Sequence, residues 1–468
     1  MIDASLILTI EYAFIIYFLM FHLSYLMLTI SAFMHLPAYI KLHSMEQLIP
    51  TDAQMIPPIS ILVPAYNEEH NICSSIHALL QLKFPEYEIL VINDGSKDRT
   101  LQNLIKEFDL IEFPEAYRVR LATQPIGKIY KSTRHHNLRV IDKKNGGKAD
   151  SLNAGLNAAQ YPLFCGVDAD SVLERDSLER VIRSFIENPN NVASGGTIRI
   201  SNGCEVEQGH LIKSGLPRNL LALFQVAEYL RAFLFGRLGW SPINALLIIS
   251  GAFGVFKKEV VISVGGYMTN TVGEDMELIV RIHRILRKQK TPYNISFVPD
   301  PVCWTEAPED LKTLKNQRVR WQRGLSESLS RNMSLLFSRS GGTAGWLAFP
   351  FFIFFEWIGP LIEVSGYAFS FITYALGYLN TQAFFLFLTV SLGFGAMLSI
   401  TAVLLDEISF LSYPKPKDLV ILFLIAIIEN LGYRQLNTIW RLIGFTQWLS
   451  GKQGQWGVMK RTGKWKKN

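Results

Sequence analysis

At 468 residues the chain is longer than one ordinary domain, and a hydrophobic share of 49% with a mean hydropathy of +0.19 is too apolar for a wholly soluble protein. The net charge of +6 is modest and gathers in the last stretch, Lys460-Arg461-Thr462-Gly463-Lys464-Trp465-Lys466-Lys467, which suits anionic headgroups at a cytosolic face better than nucleic acid. Four widely spaced cysteines, Cys73, Cys165, Cys204 and Cys303, form no CxxC pattern and indicate neither a zinc site nor a disulfide framework.

The stretch 5–36 is long enough to cross a bilayer with tilt and lacks a small-residue cleavage site, so residues 1–40 read as a permanent transmembrane anchor. Asp3 and Glu11 near its start and Lys41 after its end orient the amino terminus outward and the next segment into the cytosol. Residues 56–340 have the composition of a soluble α/β domain. Ile59-Ser60-Ile61-Leu62-Val63 reads as a buried strand, 71–82 as a helix and Glu88-Ile89-Leu90-Val91-Ile92 as the next strand, which predicts a parallel βαβ start. In such sheets ligands collect at the carboxyl ends of the strands. That rule selects Pro64-Ala65-Tyr66-Asn67-Glu68, Asn93-Asp94-Gly95-Ser96 and, after the apolar run 161–167, Asp168-Ala169-Asp170. Two carboxylates at i and i+2 at a strand end suit a divalent metal, Mg²⁺ or Mn²⁺, carrying a diphosphate.

Asn145-Gly146-Gly147-Lys148-Ala149 places a lysine after a glycine pair, where the backbone can approach phosphates and the ammonium neutralise them; a plain turn before a helix is the alternative. The stretch 225–238, with Arg231 and Arg237 among aromatics, predicts a helix in the membrane surface or on the domain surface. Gly273-Glu274-Asp275 supplies a second carboxylate pair, one member of which has to act as base if an acceptor hydroxyl attacks a sugar carbon; either would also cap a helix starting near Met276. Gln317-Arg318-Val319-Arg320-Trp321 joins a guanidinium suited to an anionic leaving group with an indole face suited to a sugar ring, or else forms a basic helix resting on the membrane. Beyond residue 340 the chain turns apolar again. Segments 346–378 and 383–405 are each long enough to cross, with Gly359-Pro360 bending the first. Segment 418–449 is one crossing interrupted by Glu429 and Arg434, or two short ones turning near Asn430-Leu431-Gly432, and a cytosolic tail favours two. The expected plan is therefore an anchor (1–40), a cytosolic domain (56–340), membrane helices (344–449) and a basic tail (450–468).

The series Val63-Pro64-Ala65-Tyr66-Asn67-Glu68, Asn93-Asp94-Gly95-Ser96-x-Asp98, Gly147-Lys148-Ala149, Asp168-Ala169-Asp170, Gly273-Glu274-Asp275 and Gln317-Arg318-Val319-Arg320-Trp321, in that order, resembles the processive family-2 glycosyltransferases, the synthases of cellulose, chitin, hyaluronan and poly-N-acetylglucosamine. The resemblance implies a cytosolic GT-A-type, Rossmann-like domain inserted between transmembrane helices of the plasma (inner) membrane. It also implies a UDP-sugar donor, a polysaccharide or lipid-linked acceptor, and room for accessory export subunits. By position, Asp94 would contact the uracil or ribose, with Asp98 a weaker candidate for that pocket. Lys148 would lie near the nucleotide, Asp168 by the ribose and metal, and Asp170 on the metal itself. Asp275, beside Glu274, would be the catalytic base, while Gln317, Arg320 and Trp321 would border the acceptor end and the leaving diphosphate. Trp456, Lys460 and Arg461 are similar in place and type to a gating loop that closes over UDP, closer to the Trp-Gly form of hyaluronan and chitin synthases than to the cellulose type. Some twenty residues follow Leu449, so no built-in cyclic-dinucleotide receptor of β-barrel size is expected. A membrane transferase that adds one sugar to a lipid is the alternative activity.

Overall fold

The computed structural model describes residues 4–46, 56–207, 209–413 and 415–451. Trp456, Lys460 and Arg461 lie outside them. The chain starts with α1 (Ala4–Glu46), then enters the α/β domain through β1 (Ile59–Ala65), α2 (Ile72–Leu79) and β2 (Tyr87–Asp94), with β1 and β2 paired in parallel. Both strands are almost wholly buried, which is why they read as continuous apolar runs rather than alternating ones. Helix α2 is shorter than the expected 71–82, because the chain turns at Leu80 to reach Pro85.

After α3 (Thr100–Glu107) come β3 (Leu110–Glu112) and β4 (Ile126–Ser132), an antiparallel edge, and β5 (Leu138–Lys143), which joins β2 in parallel. Helix α4 (Lys148–Ala158) crosses to β6 (Leu163–Val167), parallel to β1 on its other side. The sequence continues as β7 (Val172–Leu173), α5 (Ser177–Glu187), β8 (Asn191–Ile200), the hairpin β9 (Glu205–Glu207) and β10 (His210–Lys213), and α6 (Leu220–Leu234). Then follow β11 (Phe253–Lys257), α7 (Lys258–Ser263), α8 (Glu274–Lys288), β12 (Asn294–Thr305) and α9 (Leu311–Arg331). The main sheet has the order β3-β4-β5-β2-β1-β6-β11-β8-β12-β7. Its parallel block β5-β2-β1-β6 sends four carboxyl ends to one edge, and β11, antiparallel to β6, starts at that same edge. All four cysteines are free.

Helix α6 begins five residues before the expected start because Asn219 caps it, accepting from the amides of Leu221 and Ala222. It lies between β8 and the apolar carboxyl-terminal helices. Those are α10 (Ala344–Trp357) and α11 (Gly359–Ala375), bent by 40° where Gly359-Pro360 breaks the ladder, then α12 (Thr381–Phe410), α13 (Pro416–Ile428) and α14 (Tyr433–Leu449). The first helix and α12 are each long and apolar enough to cross a membrane. Between α13 and α14 the chain turns by 57° at Gly432, at the place expected. At 13 and 17 residues, neither half reaches the ~20 residues a full crossing needs. The segment is thus a bent pair of short helices whose second half, α14, packs along α9 of the α/β domain.

Candidate active site

The polar loops at the sheet edge are laced to one another. Asn67, in the left-handed region at φ 56°, accepts from the Lys97 amide at 2.8 Å, while its own amide donates to Ser96 Oγ at 3.1 Å. Asp98 accepts from the Glu69 amide and from both the amide and hydroxyl of Thr100. Burial would raise its pKa, but these hydrogen bonds hold it below the usual carboxylate range. Asp98 thus ties the first loop to the second, and its carboxylate points into the protein's own backbone.

Asp94 ends β2 and is almost fully buried. Its Oδ1 accepts from Lys143 Nζ at 2.6 Å and the Gly146 amide at 2.9 Å; its Oδ2 accepts from the Gly147 amide at 2.7 Å and Asn145 Nδ2 at 3.1 Å. Four donors thus meet the carboxylate, one for each of its four lone-pair sites. Asp94, expected at the uracil or ribose, in this way shapes the glycine loop. Lys143, fully buried and shared with Asp150 at 2.6 Å, completes this knot. Sequence reading passed over Lys143 because Lys143-Lys144 looks like an ordinary basic pair on a strand end.

The loop so formed delivers Lys148. Gly147 caps α4 at φ 90°, a conformation that favours glycine, and lets the lysine start the helix facing the strand ends. Lys148 Nζ is ion-paired with Asp168 and donates to the Gly251 carbonyl at 3.0 Å. The amide of the same Gly251 donates to Asp275 Oδ2 at 3.1 Å. One glycine, which sequence reading did not select, therefore joins the first carboxylate pair to the second. Burial alone would lower the pKa of Lys148, but Asp168, Glu274 and Asp275 hold it above the usual lysine value. Asp275 sits in the first turn of α8 with its Oδ1 on the amide of Met276. Beside it the buried Glu274 carboxyl is pushed up to about 7, chiefly by burial and despite the nearby charge of Lys148. A cavity of about 20 Å³ between Lys148, Tyr267, Glu274 and Asp275 closes the floor, with room for a water-sized guest.

Asp168 and Asp170 follow β6, and Ser75 Oγ fixes the turn between them by donating to the Ala169 carbonyl at 2.5 Å. Among the described residues no group of three or more His, Cys, Asp or Glu side chains could hold a metal ion. Two hard carboxylates are nevertheless the donor set that Mg²⁺ accepts when substrate phosphates and water complete its shell.

Helix α9 crosses beneath this edge. Its Gly324 lies so close to Gly273 that a Cβ on Gly324 would stand 2.8 Å from the Gly273 Cα, and Glu327 Oε2 accepts from Thr271 Oγ1 at 2.7 Å and the Val272 amide at 3.0 Å. The loop carrying Glu274 and Asp275 is thus braced by α9. Arg320 acts on Glu274 electrostatically. Gln317 is buried, and Trp321 is 43% exposed with the Arg318 guanidinium 4.3 Å from its ring. The structure therefore brings Lys148, Asp168, Glu274, Asp275 and Arg320 together and leaves Asp94 and Asp98 behind them.

The chain matches the family described as Glycosyl transferase family 2 over residues 60–261 and that described as Glycosyl transferase family group 2 over residues 164–404. It is 29% identical over 286 residues to a poly-beta-1,6-N-acetyl-D-glucosamine synthase of Staphylococcus epidermidis, covering 61% of this chain and 58% of that protein. A protein of the same name from Staphylococcus aureus is 31% identical over 277 residues, covering 58% and 56%. The matched region thus spans less than two thirds of the length of these relatives. In fold the chain is similar to a solved mannosyltransferase, PcManGT from Pyrobaculum calidifontis in complex with GDP-Man and Mn²⁺, with a TM-score of 0.51 at 17% identity over 88% of this chain and 99% of that one. The mixed sheet has the GT-A-like arrangement expected from the sequence.

Proposed function

The chain belongs to glycosyl transferase family 2, and on that premise we propose that it is a membrane-bound, inverting and processive transferase that extends a β-linked polysaccharide from a UDP-sugar. The names of the Staphylococcus relatives favour N-acetylglucosamine as the sugar. In this reading the catalytic domain faces the cytosol, the apolar helices hold it in the plasma membrane, and the growing chain leaves through them. The observation that carries the reading is the Gly251 peptide, whose carbonyl holds Lys148 on the side of Asp168 and whose amide holds Asp275.

Asp275 takes the proton from the acceptor hydroxyl, whose oxygen attacks the anomeric carbon as the bond to the UDP oxygen breaks on the opposite face. An α-linked donor then gives a β-linked product. Lys148 and Arg320 face the charge that builds on the leaving diphosphate. Asp170, with Asp168, would hold the divalent ion, whose chemistry when bound is to neutralise that diphosphate. The Mn²⁺ named for the Pyrobaculum protein supports this assignment. Glu274 stays behind Asp275, and Asp94 positions the glycine loop. Trp321 offers the flat face on which the terminal sugar rests, with Gln317 beside it.

The test is incubation of the purified full chain with labelled UDP-N-acetylglucosamine, UDP-glucose and UDP-glucuronate in turn, followed by sizing and digestion with linkage-specific hydrolases. High-mass, β-hydrolase-sensitive product from one donor is expected, and Trp321→Ala should lose it while UDP binding persists. A small, organic-soluble product alone would replace the polymerase reading with the single-sugar lipid transferase and leave the donor site standing.

A further inference from the structure

Where the chain leaves the catalytic domain for its apolar helices, a groove of about 540 Å³ opens between the end of α5, the end of α8 and the turn before α10. Asn188, Asn190, Arg287, Lys290, Asn294 and Ser340 line it, two cations and four neutral polar side chains, and no Asp or Glu is among the lining residues. Many of the described arginines pair with a carboxylate within the protein. Among the described residues Arg287 and Lys290 do not: Arg287 is fixed instead by its Nε donating to Tyr293 Oη at 3.0 Å, with the tyrosine ring 5.3 Å away, and its guanidinium fills the space that a Cβ on Gly342 would take. Its charge is held in place and left without a counter-ion. A rigid guanidinium with a lysine and amide donors around an open groove is an anion site of phosphate type.

The surroundings say where that phosphate comes from. Next to Ser340, Phe337 and Trp346 stand 48% and 52% exposed with their rings 5.3 Å apart, and Leu347 beside them is 53% exposed. Phe337 sits at φ 51°, a strained conformation for a bulky residue, and the strain serves no burial in the interior. Trp346 Nε1 donates to the Ser338 carbonyl at 2.9 Å, which leaves the indole with a polar end at the turn and an apolar body outward. Exposed aromatics of this kind mark the headgroup level of a bilayer. We propose that this groove binds the phosphate of an anionic lipid headgroup, docking the carboxyl-terminal end of α8 on the membrane. The proposal rests on the reading that α10 and α11 enter a bilayer.

The test uses the purified full chain in neutral detergent, with thermal unfolding followed after addition of phosphatidylglycerol, phosphatidylcholine or inorganic phosphate. Phosphatidylglycerol should raise Tm by several degrees over phosphatidylcholine. Lys290→Gln, at an exposed loop position, should lose at least half of that shift without lowering the lipid-free Tm, and Arg287→Gln should lose nearly all of it. An equal shift in wild type and both variants would overturn the site, and an equal shift from inorganic phosphate alone would overturn the lipid as its source. Sugar transfer measured on the same samples keeps the two readings apart: a lipid shift without any transfer refutes the transferase and leaves the groove, whereas transfer without a shift does the reverse.

Discussion

Gly324→Ala tests whether α9 sets the position of Asp275, the proposed base. The added methyl carbon would lie 2.8 Å from the Gly273 Cα and 3.0 Å from its nitrogen, and both are backbone atoms that cannot rotate away. Ordinary contact requires a retreat of roughly half an ångström, so either α9 shifts or the 271–275 loop does. Overpacking of this kind costs about 1–3 kcal/mol, and alanine in a helix returns up to about 1 kcal/mol relative to glycine, so the protein stays folded. The larger effect is on rate. Misplacement of a reacting group by ~1 Å costs ~100-fold, so a half-ångström shift of Asp275 from the Gly251 amide should lower kcat about tenfold. UDP affinity should stay within about twofold, because Lys148, Asp168 and Asp170 are carried by α4 and β6, which the methyl does not touch. The assay is UDP release at saturating donor beside calorimetric UDP binding and a melting curve. An unchanged kcat with a lowered Tm would refute the brace and make the glycine contact one of packing alone.

Asp170→Asn should abolish transfer and weaken UDP binding only when metal is present, whereas Asp275→Asn should abolish transfer and leave UDP binding nearly intact; equal loss of affinity in both would overturn the division of roles. Glu274 gives a pH signature: its carboxyl is raised by burial from 4.5 to about 7, so its neutral form contributes stability that is complete below pH 4.5 and lost as pH rises through 7. Tm should fall between pH 5 and 8, and Glu274→Gln should flatten that fall; an identical fall in the variant would move the titration to another group. The ion pair of Arg199 with Asp406 is buried on both sides, so Arg199→Met alone should cost about 3–5 kcal/mol, while Arg199→Met with Asp406→Leu should recover most of it. Loss in the double variant equal to that in the single one would show that the charges stabilise the fold outright.

The central strands and the edge they share were legible because strands buried on both faces are written as unbroken apolar runs, and the polar residues just after them stand out. Asp168 and Asp170 were placed at that edge this way, whereas Glu274 and Asp275 stood out as a carboxylate pair at a helix start. What escaped were contributions made by backbone or by pairing. Gly251 acts through its peptide, and Ser250-Gly251-Ala252 has no side chain that advertises it. Asp94 looked like a ligand group, yet its four partners come from a loop some fifty residues away, a distance that no local pattern encodes. The shortness of α13 and α14 follows from Gly432 at φ 106°, visible as a glycine but not as a 57° turn. Asp406 and Glu429 did carry a signal, since a lone carboxylate in an apolar helix is costly enough to imply a partner.

Those partners explain how the catalytic domain is mounted on its helices. Arg199 on β8 meets Asp406 on α12; Arg231 on α6 meets Glu429 after α13 and Ser399 on α12; Arg318 on α9 meets Glu228 on α6 at 2.7 Å, with Tyr433 Oη donating to the same carboxylate at 2.9 Å. An apolar surface between two helices permits sliding and rotation at little cost, whereas a buried ion pair displaced by one residue leaves two unpaired charges. The pairs therefore fix one register rather than add net stability. Helix α9 is the element on which this bears most. Arg318 holds its first half to α6 and α14, while Gly324 and Glu327 in its second half hold the loop of Asp275. Trp321 lies between those two fixed points, so the proposed acceptor platform and the proposed base Asp275 would be held by the same helix that is locked to the apolar bundle. The loop of Asp275 and the apolar helices are in this way referred to one rigid element.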